Sequence, residues 1–388
     1  MVLVFLYHPN SKGAVIFMKS NWKALLSQSI CSAEGAQQFL SLSDEDTEQM
    51  AKIIERYPVC ANPYYLSLID KNDPQDPIRK MCIPDIHEFS EGGQADTSGE
   101  AENTVIQGMQ HKYRQTAMIL STNQCAMYCR HCFRKRMVGA SSDEIASQLP
   151  AMADYVRSHK EINNVLISGG DAFMNNNETL LKYLRYFTAI PTLDFIRFGT
   201  RIPVVLPQRI YEDDELLRML ETYNQKKQII VVTQFNHPRE LTPEAIQSVR
   251  DLQSVGCIVR NQTVLLKGVN DNADIIANLM NSLVACGIIP YYIFQCRPVE
   301  GVLNQFQVPF INGIEIIEIA KRQMNGQSKS VRFTMSHPSG KIEILGKTGH
   351  NKILFKYHQA KNEKDHGIIF EQYVDDKQSW LDQNILFL

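Results

Sequence analysis

The feature that most constrains this chain is an alternation of short apolar runs with amphipathic stretches, which begins near residue 116. The apolar runs predict six strands, at residues 117–121, 164–168, 194–199, 229–233, 258–265 and 290–295. The stretches between them predict helices at residues 143–158, 177–188, 213–224, 243–255 and 272–285. Strands that alternate with helices form right-handed crossovers, so we expect a parallel sheet, either doubly wound or curled into a barrel.

Polar or unusual residues follow almost every predicted strand. They are the cysteines of residues 125–132, Gly169-Gly170-Asp171, Thr200-Arg201, Gln234 with Asn236-His237, Gln262, and Gln295-Cys296-Arg297. This distribution is typical of a (β/α) barrel, whose single active site lies at the carboxyl ends of the strands. We therefore predict an α/β fold with a partial (β/α)6 TIM-like barrel that is open on one side.

The regions on either side of the barrel predict different structures. A helix is expected over residues 43–57, capped by Ser43, and the N-terminal third is expected to be largely helical. Residues 88–105 are polar without a period and predict a loop. Four β-rich runs past residue 330 predict a cover that partly closes the open side; they are residues 331–335, 342–345, 353–356 and 368–371.

These patterns divide the chain into a helical region over residues 18–110, a core over 111–300 and a C-terminal cover over 301–388. Residues 1–17 are expected to be a disordered arm or a mis-called start, because Met18 is followed by a more natural beginning.

The composition narrows the class of protein. A hydrophobic content of 44% in 388 residues is enough for a large core. The formal charge of −2 does not favour nucleic acid or an anionic membrane as a partner, and no apolar run approaches the roughly 18 residues that a membrane span needs. Nine cysteines are too sparse for a secreted disulfide framework, so we expect a cytoplasmic protein.

Cys125, Cys129 and Cys132 form a C-x3-C-x2-C run directly after a predicted strand. Three thiolates on one loop can bind three irons of a [4Fe-4S] cubane and leave the fourth iron without a protein ligand. The amino and carboxylate groups of S-adenosylmethionine (SAM) can chelate that iron, and electron transfer then releases a 5′-deoxyadenosyl radical. The spacing is highly specific for radical SAM enzymes.

Other interpretations of the three cysteines remain. A structural zinc site needs four ligands, for which His131 or His111 could supply the fourth, but no second cysteine pair is present. Buried thiols without a metal are another alternative. A cluster that only carries electrons normally takes four cysteines, and a fourth is not nearby.

Gly169, Gly170 and Asp171 follow the next predicted strand. Glycines suit a place where the backbone must approach a ligand closely, and a carboxylate suits the amino group of SAM. Gly-Gly-Asp is also ordinary turn chemistry. Because the run follows the strand next to the cysteine loop, we expect it to contribute to the SAM site.

The chain resembles the lysine 2,3-aminomutase family of radical SAM enzymes over about residues 57 to 320. The similarity rests on long motifs, which are Pro63-Tyr64-Tyr65-Leu66-Ser67-Leu68-Ile69-Asp70, Asn72-Asp73-Pro74, the cysteine run with Arg134, Ser168-Gly169-Gly170-Asp171-Ala172, Pro203-Val204-Val205-Leu206-Pro207-Gln208-Arg209, Phe235-Asn236-His237-Pro238, Asn261-Gln262 and Gly268-Val269-Asn270-Asp271. The resemblance implies a 1,2-amino shift, in which the adenosyl radical removes a hydrogen and an amine held as an imine of pyridoxal 5′-phosphate (PLP) migrates.

The resemblance also implies residue roles. Asp171 and Gln262 would hold SAM, and Arg134 would bind the substrate carboxylate, as suits the geometry of a guanidinium. The alternative for Arg134 is a solvated edge within the basic run 134–136. The lysine that binds PLP would lie in a glycine-rich loop near the C-terminal end.

Two departures from the family concern PLP. The Gly-Gly-Gly-Gly-Lys stretch is replaced by residues 335–341, which makes Lys341 the Schiff-base and catalytic candidate, with a surface lysine in a turn as the alternative. The phosphate-binding segment His-Arg-Tyr-Pro-Asp-Arg is replaced by residues 111–116. Lys112 and Tyr113 remain as PLP-binding candidates, but the final arginine is lost at Thr116, and Arg114 could substitute for it only if the backbone shifts.

A third departure concerns the substrate. Lysine-specific members place an aspartate after the sixth strand to receive the substrate ammonium, and here that residue is Arg297. Two cations in a poorly solvated pocket repel each other, so Arg297 favours an acidic or otherwise non-lysine amino acid, as in the glutamate-acting branch. Alternatively, Arg297 points to solvent.

Three hypotheses follow. The first is a PLP-dependent radical SAM 2,3-aminomutase acting on a non-lysine amino acid. The second is a radical SAM enzyme that has lost PLP and performs another hydrogen abstraction, and the third is a non-catalytic iron-sulfur sensor. We expect a small-molecule amino acid and a reducing donor such as flavodoxin or ferredoxin as partners. A homo-oligomer would lack zinc bridging, since the last cysteine is Cys296.

Overall fold

The computed structural model describes residues 21–382 and residue 385. The expectation for residues 1–17 lies outside the described residues. The first part contains six helices, α1 Trp22–Ser27, α2 Ala33–Leu40, α3 Asp44–Arg56, α4 Pro63–Leu66, α5 Pro77–Cys82 and α6 Glu100–Asn103. The predicted helix over 43–57 is confirmed as α3. The predicted cap is also present, since the Ser43 hydroxyl accepts the Asp46 N–H at 3.1 Å.

All six predicted core strands are present within a residue or two of their expected bounds. They are β3 Thr116–Leu120, β4 Asn164–Ser168, β5 Phe195–Gly199, β6 Gln228–Thr233, β7 Ile258–Leu265 and β8 Ile289–Gln295, all parallel and in chain order. The connecting helices are α7 Leu149–Ser158, α8 Asn177–Thr188, α9 Ile202–Val205, α10 Gln208–Tyr211, α11 Asp214–Asn224, α12 Pro243–Ser254 and α13 Ala273–Ala285. The helix predicted from residue 143 begins only at Leu149, where Pro150 occupies its first turn.

The helical region also contributes two strands that sequence patterns did not predict. β1 Thr104–Ile106 and β2 Met109–Tyr113 form an antiparallel hairpin, and β2 pairs with β3. The loop expected over residues 88–105 therefore includes α6 and the start of β1. β2 crosses the expected boundary between residues 110 and 111, and one continuous sheet runs through all three expected regions.

The C-terminal part continues the sheet and closes the open side of the barrel. Helices α14 Leu303–Phe306 and α15 Phe310–Gln323 lead to β9 Arg332–His337, which pairs in parallel with β8. β10 Gly340–Gly349, β11 Lys352–Ala360 and β12 Ile369–Tyr373 then form an antiparallel meander. Lys112 Nζ on β2 donates to the carbonyl of His337 on β9 at 2.7 Å, which joins the two strands that flank the parallel set β3 to β8.

The alternation of residues along the core strands decides what the barrel interior contains. In β5, Ile196 and Phe198 are fully buried, whereas Phe195, Arg197 and Gly199 line a cavity. Successive residues of a strand point to opposite faces, so the apolar positions meet the helices and the others face the interior. No helix among the residues that the structure describes is long and apolar enough to cross a bilayer.

Candidate active site

A cavity of about 490 Å³ occupies the barrel interior and its carboxyl rim. All twelve residues that sequence analysis proposed for a site line it, namely Lys112, Tyr113, Cys125, Cys129, Cys132, Arg134, Gly169, Gly170, Asp171, Gln262, Arg297 and Lys341. Their positions span more than 200 residues of the chain, and the carboxyl ends of parallel strands bring them to one place.

The three cysteines lie on the loop that leaves β3. Burial and the neighbouring Cys129 raise the pKa of the Cys132 thiol to about 11, and burial raises the pKa of Cys125 well above its usual value. Thiols such as Cys125 and Cys132 ionise together only beside a strongly positive group, which a cluster of irons would supply. The donor set therefore fits a [4Fe-4S] cluster.

The described residues give no support to the zinc alternative. None of their Cys, His, Asp and Glu side chains are grouped in threes as ligands of a single ion. Ligands of a cubane bind separate irons and lie farther apart. His111 is held by Tyr155 and the Arg114 carbonyl at 3.0 and 3.1 Å, and His131 faces the amides of Gln234 and Asn236.

Gly169 and Gly170 support the cysteine loop. A Cβ at Gly170 would lie 2.4 Å from the carbonyl oxygen of Gln124, and one at Gly169 would lie 2.4 Å from that of Thr122. The Gly170 N–H donates to Thr122 at 2.6 Å, and the Asp171 N–H donates to Gln124 at 2.8 Å. The two glycines therefore allow the cysteine loop, and not a ligand, to approach the backbone of residues 169 and 170 closely.

The two side chains predicted to bind SAM, those of Asp171 and Gln262, differ in how many hydrogen-bond partners they already have within the protein. The Asp171 carboxylate accepts the Thr200 hydroxyl at 2.5 Å and the N–H groups of Arg201 and Phe173 at 2.6 and 3.0 Å. Burial raises the pKa of Asp171 to about 6, against the effect of these hydrogen bonds. Gln262 lines the cavity, and its side-chain amide has no partner within the described part of the chain. Gln262 is therefore the freer of the two to bind a ligand.

Arg134 is buried, with 5% of its side chain exposed, so the solvated-edge alternative is wrong. The carboxylate of Glu100 accepts from its Nε at 2.9 Å and lies 2.8 Å from its Nη2. Burial alone would raise the pKa of Glu100, but Arg134 and Arg136 lower it to about 2. Glu100 was not predicted as a site residue, because it lay in the expected loop. Glu100 thus occupies Nε and Nη2, and Nη1 donates to the Gly169 carbonyl at 3.2 Å, so the guanidinium is held in place on the wall of the cavity.

Lys341 faces the cavity, which excludes the surface-lysine alternative. Its Nζ lies 5.0 Å from the ring centre of Tyr292 and 5.8 Å from that of Tyr113. Burial, with the charges of Arg197 and Arg297, lowers the pKa of Lys341 to about 7. An amine with a depressed pKa is nucleophilic near neutral pH, as a lysine that binds a carbonyl cofactor requires.

Within the part of the chain that the structure describes, three other cations without an acidic partner share the cavity with Lys341. Lys112 donates to the carbonyls of Ser98 and His337, and burial lowers its pKa to about 7. Arg297 donates to the Ser98 hydroxyl, and burial lowers its pKa to about 10. Arg297 lines the cavity and does not point to solvent.

The third cation, Arg197, was not predicted. It donates to Asn164 Oδ1 at 2.6 Å and reaches Thr116 Oγ1 at 3.5 Å, and its buried Nε has no partner. Like Lys112, Arg297 and Lys341, Arg197 forms no ion pair with a carboxylate of the described residues. A charged residue within an apolar strand was the signal that could have identified Arg197.

Comparisons with known proteins agree with this site. Residues 119–280 match the Radical SAM superfamily. The "Putative L-lysine 2,3-aminomutase" of Aquifex aeolicus is 37% identical, with 88% of this chain and 91% of that protein covered. The "L-lysine 2,3-aminomutase" of Fusobacterium nucleatum is 37% identical (83% and 75% covered), and the "Glutamate 2,3-aminomutase" of Clostridioides difficile is 34% identical (80% and 72% covered).

Proposed function

The chain belongs to the lysine 2,3-aminomutase family of radical SAM enzymes, and we propose that it is a PLP-dependent 2,3-aminomutase whose substrate is an acidic amino acid. Membership makes it an enzyme of the radical SAM isomerase type, which implies a [4Fe-4S] cluster and SAM. The observation that carries the finer proposal is that Lys341 shares the cavity with three cations that have no acidic partner.

Lys341 supports the assignment of PLP. Bound PLP would carry the migrating amino group between neighbouring carbons. The rings of Tyr113 and Tyr292 lie beside the amine, and the lowered pKa leaves a large fraction of Lys341 unprotonated near pH 7. These residues fit a cofactor held through a lysine, although the glycine-rich loop of the family is shortened.

Arg197 supports the assignment at the phosphate end of PLP. The family's second phosphate-binding arginine is replaced by Thr116, and the guanidinium of Arg197 reaches the Thr116 hydroxyl from β5. A guanidinium without an acidic partner is well suited to a phosphate group. The cation missing from β3 is therefore supplied from another strand.

The charge of the cavity supports an acidic substrate. Lys112, Arg197, Arg297 and Lys341 lie together without a carboxylate at ion-pair distance, and buried cations are costly unless anions accompany them. The phosphate of PLP and the α-carboxylate of a substrate would neutralise part of this charge, and a side-chain carboxylate near Arg297 would neutralise more. A lysine side chain would add another cation there.

The remaining residues have complementary parts in the proposal. Cys125, Cys129 and Cys132 would hold the cluster, and Gln262 would contact SAM beside it. Arg134, whose Nη1 donates to the Gly169 carbonyl at 3.2 Å on the cavity wall, would orient the substrate α-carboxylate. Reduced flavodoxin or ferredoxin would supply the electron.

The test begins with anaerobically reconstituted protein loaded with PLP, reduced with borohydride and mapped by peptide analysis. A pyridoxyl adduct on Lys341 is expected, and Lys341→Ala should lose the adduct and the product but keep reductive cleavage of SAM. Cys129→Ala should abolish 5′-deoxyadenosine. Lys347→Ala is the matched control, because Lys347 lies exposed on the same strand.

The substrate is tested by comparing kcat/KM for glutamate, aspartate and lysine. We expect turnover of an acidic amino acid and a rise of about tenfold or more in its KM in Arg297→Gln, because one charge-assisted hydrogen bond is lost. A higher kcat/KM for lysine would refute the acidic substrate. Absence of the adduct with normal SAM cleavage would instead favour a radical SAM enzyme that does not use PLP.

A further inference from the structure

The guanidinium of Arg201 lies against one of the cluster cysteines. Its Nη1 donates to Cys129 Sγ at 2.9 Å, and 8% of the side chain is exposed. Hydrogen bonds to ligand sulfurs and nearby charges are among the factors that set the reduction potential of an iron-sulfur cluster. The contact therefore bears on how readily the cluster accepts an electron.

The surrounding residues fix the orientation of this guanidinium. Arg201 Nε donates to the Gln234 carbonyl at 3.0 Å, and its Nη2 donates to Glu240 Oε1 at 2.5 Å. The Arg201 N–H donates to Asp171 at 2.6 Å, which anchors the backbone. Glu240 is fully buried and accepts the Asn236 N–H at 2.6 Å, so it cannot turn away. One edge of the guanidinium is thus held toward the sulfur.

Arg201 and Glu240 form an ion pair with its positive end toward the cluster. Nη1 donates to Cys129 Sγ, whereas Glu240 accepts from Nη2, the other amino group of the guanidinium. When a cluster accepts one electron from a low-potential donor, its net charge becomes more negative by one. A positive charge closer than its counter-charge stabilises that reduced state.

We propose that Arg201 raises the reduction potential of the cluster by donating to Cys129, and that Glu240 limits this rise by neutralising the far side of the guanidinium. This role concerns electron uptake before any step on the substrate. It depends on the cluster that the family implies, and it holds whether or not PLP is bound.

The experiment is an EPR-monitored redox titration of the full chain, reconstituted anaerobically with iron and sulfide. In Arg201→Gln the midpoint potential should fall by about 60 mV or more, which is a tenfold change in a one-electron equilibrium. In Glu240→Gln it should rise, because the guanidinium then acts without its counter-charge. Arg239→Gln is the matched control, since Arg239 contacts Asp76 and the Leu68 carbonyl and should leave the potential unchanged.

The two variants are expected to shift the midpoint potential in opposite directions. General loosening of the site would shift the potential of both variants in the same direction. An unchanged or higher potential in Arg201→Gln would overturn the proposal, and so would a fall in Glu240→Gln. If Arg201→Gln does not retain iron, the test rests on Glu240→Gln alone. A rise in its midpoint potential would then support the proposal, and any other result would overturn it.

Discussion

Under the proposed function, Arg197 would supply from β5 a positive charge that the family carries on another strand. Its side chain leaves the middle of β5 and ends beside Thr116 on β3, two strands away in the sheet. Asn164 on β4 accepts at 2.6 Å and fixes the guanidinium between them. In that role, Arg197 would keep a positive charge in the cavity although residue 116 is a threonine.

The role of Arg197 is tested by comparing PLP with pyridoxal, which lacks the phosphate. In Arg197→Gln the Kd of PLP should rise about tenfold or more, because a charge-assisted contact is lost, while the Kd of pyridoxal should change little. Absorbance titration of the apoprotein measures both constants. Arg332→Gln, at a half-exposed position on β9, is the control. Equal weakening of both ligands would contradict a phosphate contact.

At the scale of elements, the cysteine loop depends on the end of β4. Gly170 is not in the left-handed region, so alanine there strains no backbone dihedral and tests space alone. A Cβ at Gly170 would lie 2.4 Å from Gln124 O and 2.8 Å from the carbonyl carbon of Asn123. Because backbone atoms cannot rotate away as side chains do, the loop itself must move.

Gly170→Ala should therefore displace the cysteines and reduce the iron bound per chain by half or more. The measurement is iron and sulfide content after reconstitution, together with the absorbance of the cluster. Gly326→Ala is the control, because a Cβ there meets nothing within 4 Å. Full cluster content in Gly170→Ala would show that the loop is not held by this contact.

At the scale of the whole molecule, the cavity stores unfavourable charge in the absence of ligands. Burial lowers the pKa of Lys341 from 10.5 to about 7, so between these values the unfolded chain binds more protons than the folded one. Stability attributable to this lysine therefore rises as pH increases from about 7 to 10.5. Below pH 7 Lys341 is charged in both the folded and the unfolded chain, so the full free-energy cost of burying its charge is present.

Lys341→Met removes that cost and should make the PLP-free protein more stable at pH 6 to 7. The gain relative to the wild type should diminish steadily toward pH 10, where the unfolded lysine also begins to lose its proton. Urea unfolding of both proteins across this range gives the difference in free energy. A difference that stays constant with pH would show that the amine is not depressed in the folded state.

The sequence by itself determined the six core strands and the cysteine motif of the radical SAM family. The period of the apolar runs predicted six strands that the structure contains, and the spacing of Cys125, Cys129 and Cys132 indicated the cluster. Both are local signals, because the period of a strand and the ligands of one loop lie within a few residues. The β1–β2 hairpin was missed because its strands are short and only half buried.

Only the tertiary structure decided which side chains are paired and which remain available. Glu100 meets Arg134 across 34 positions, and Glu240 meets Arg201 across 39. No periodic pattern links residues so far apart; they meet because parallel strands end at one rim and because β9 closes against β2, where Lys112 donates to the His337 carbonyl. That closure buries Lys341 in the cavity and lowers its pKa, since the low dielectric around it disfavours the charged amine.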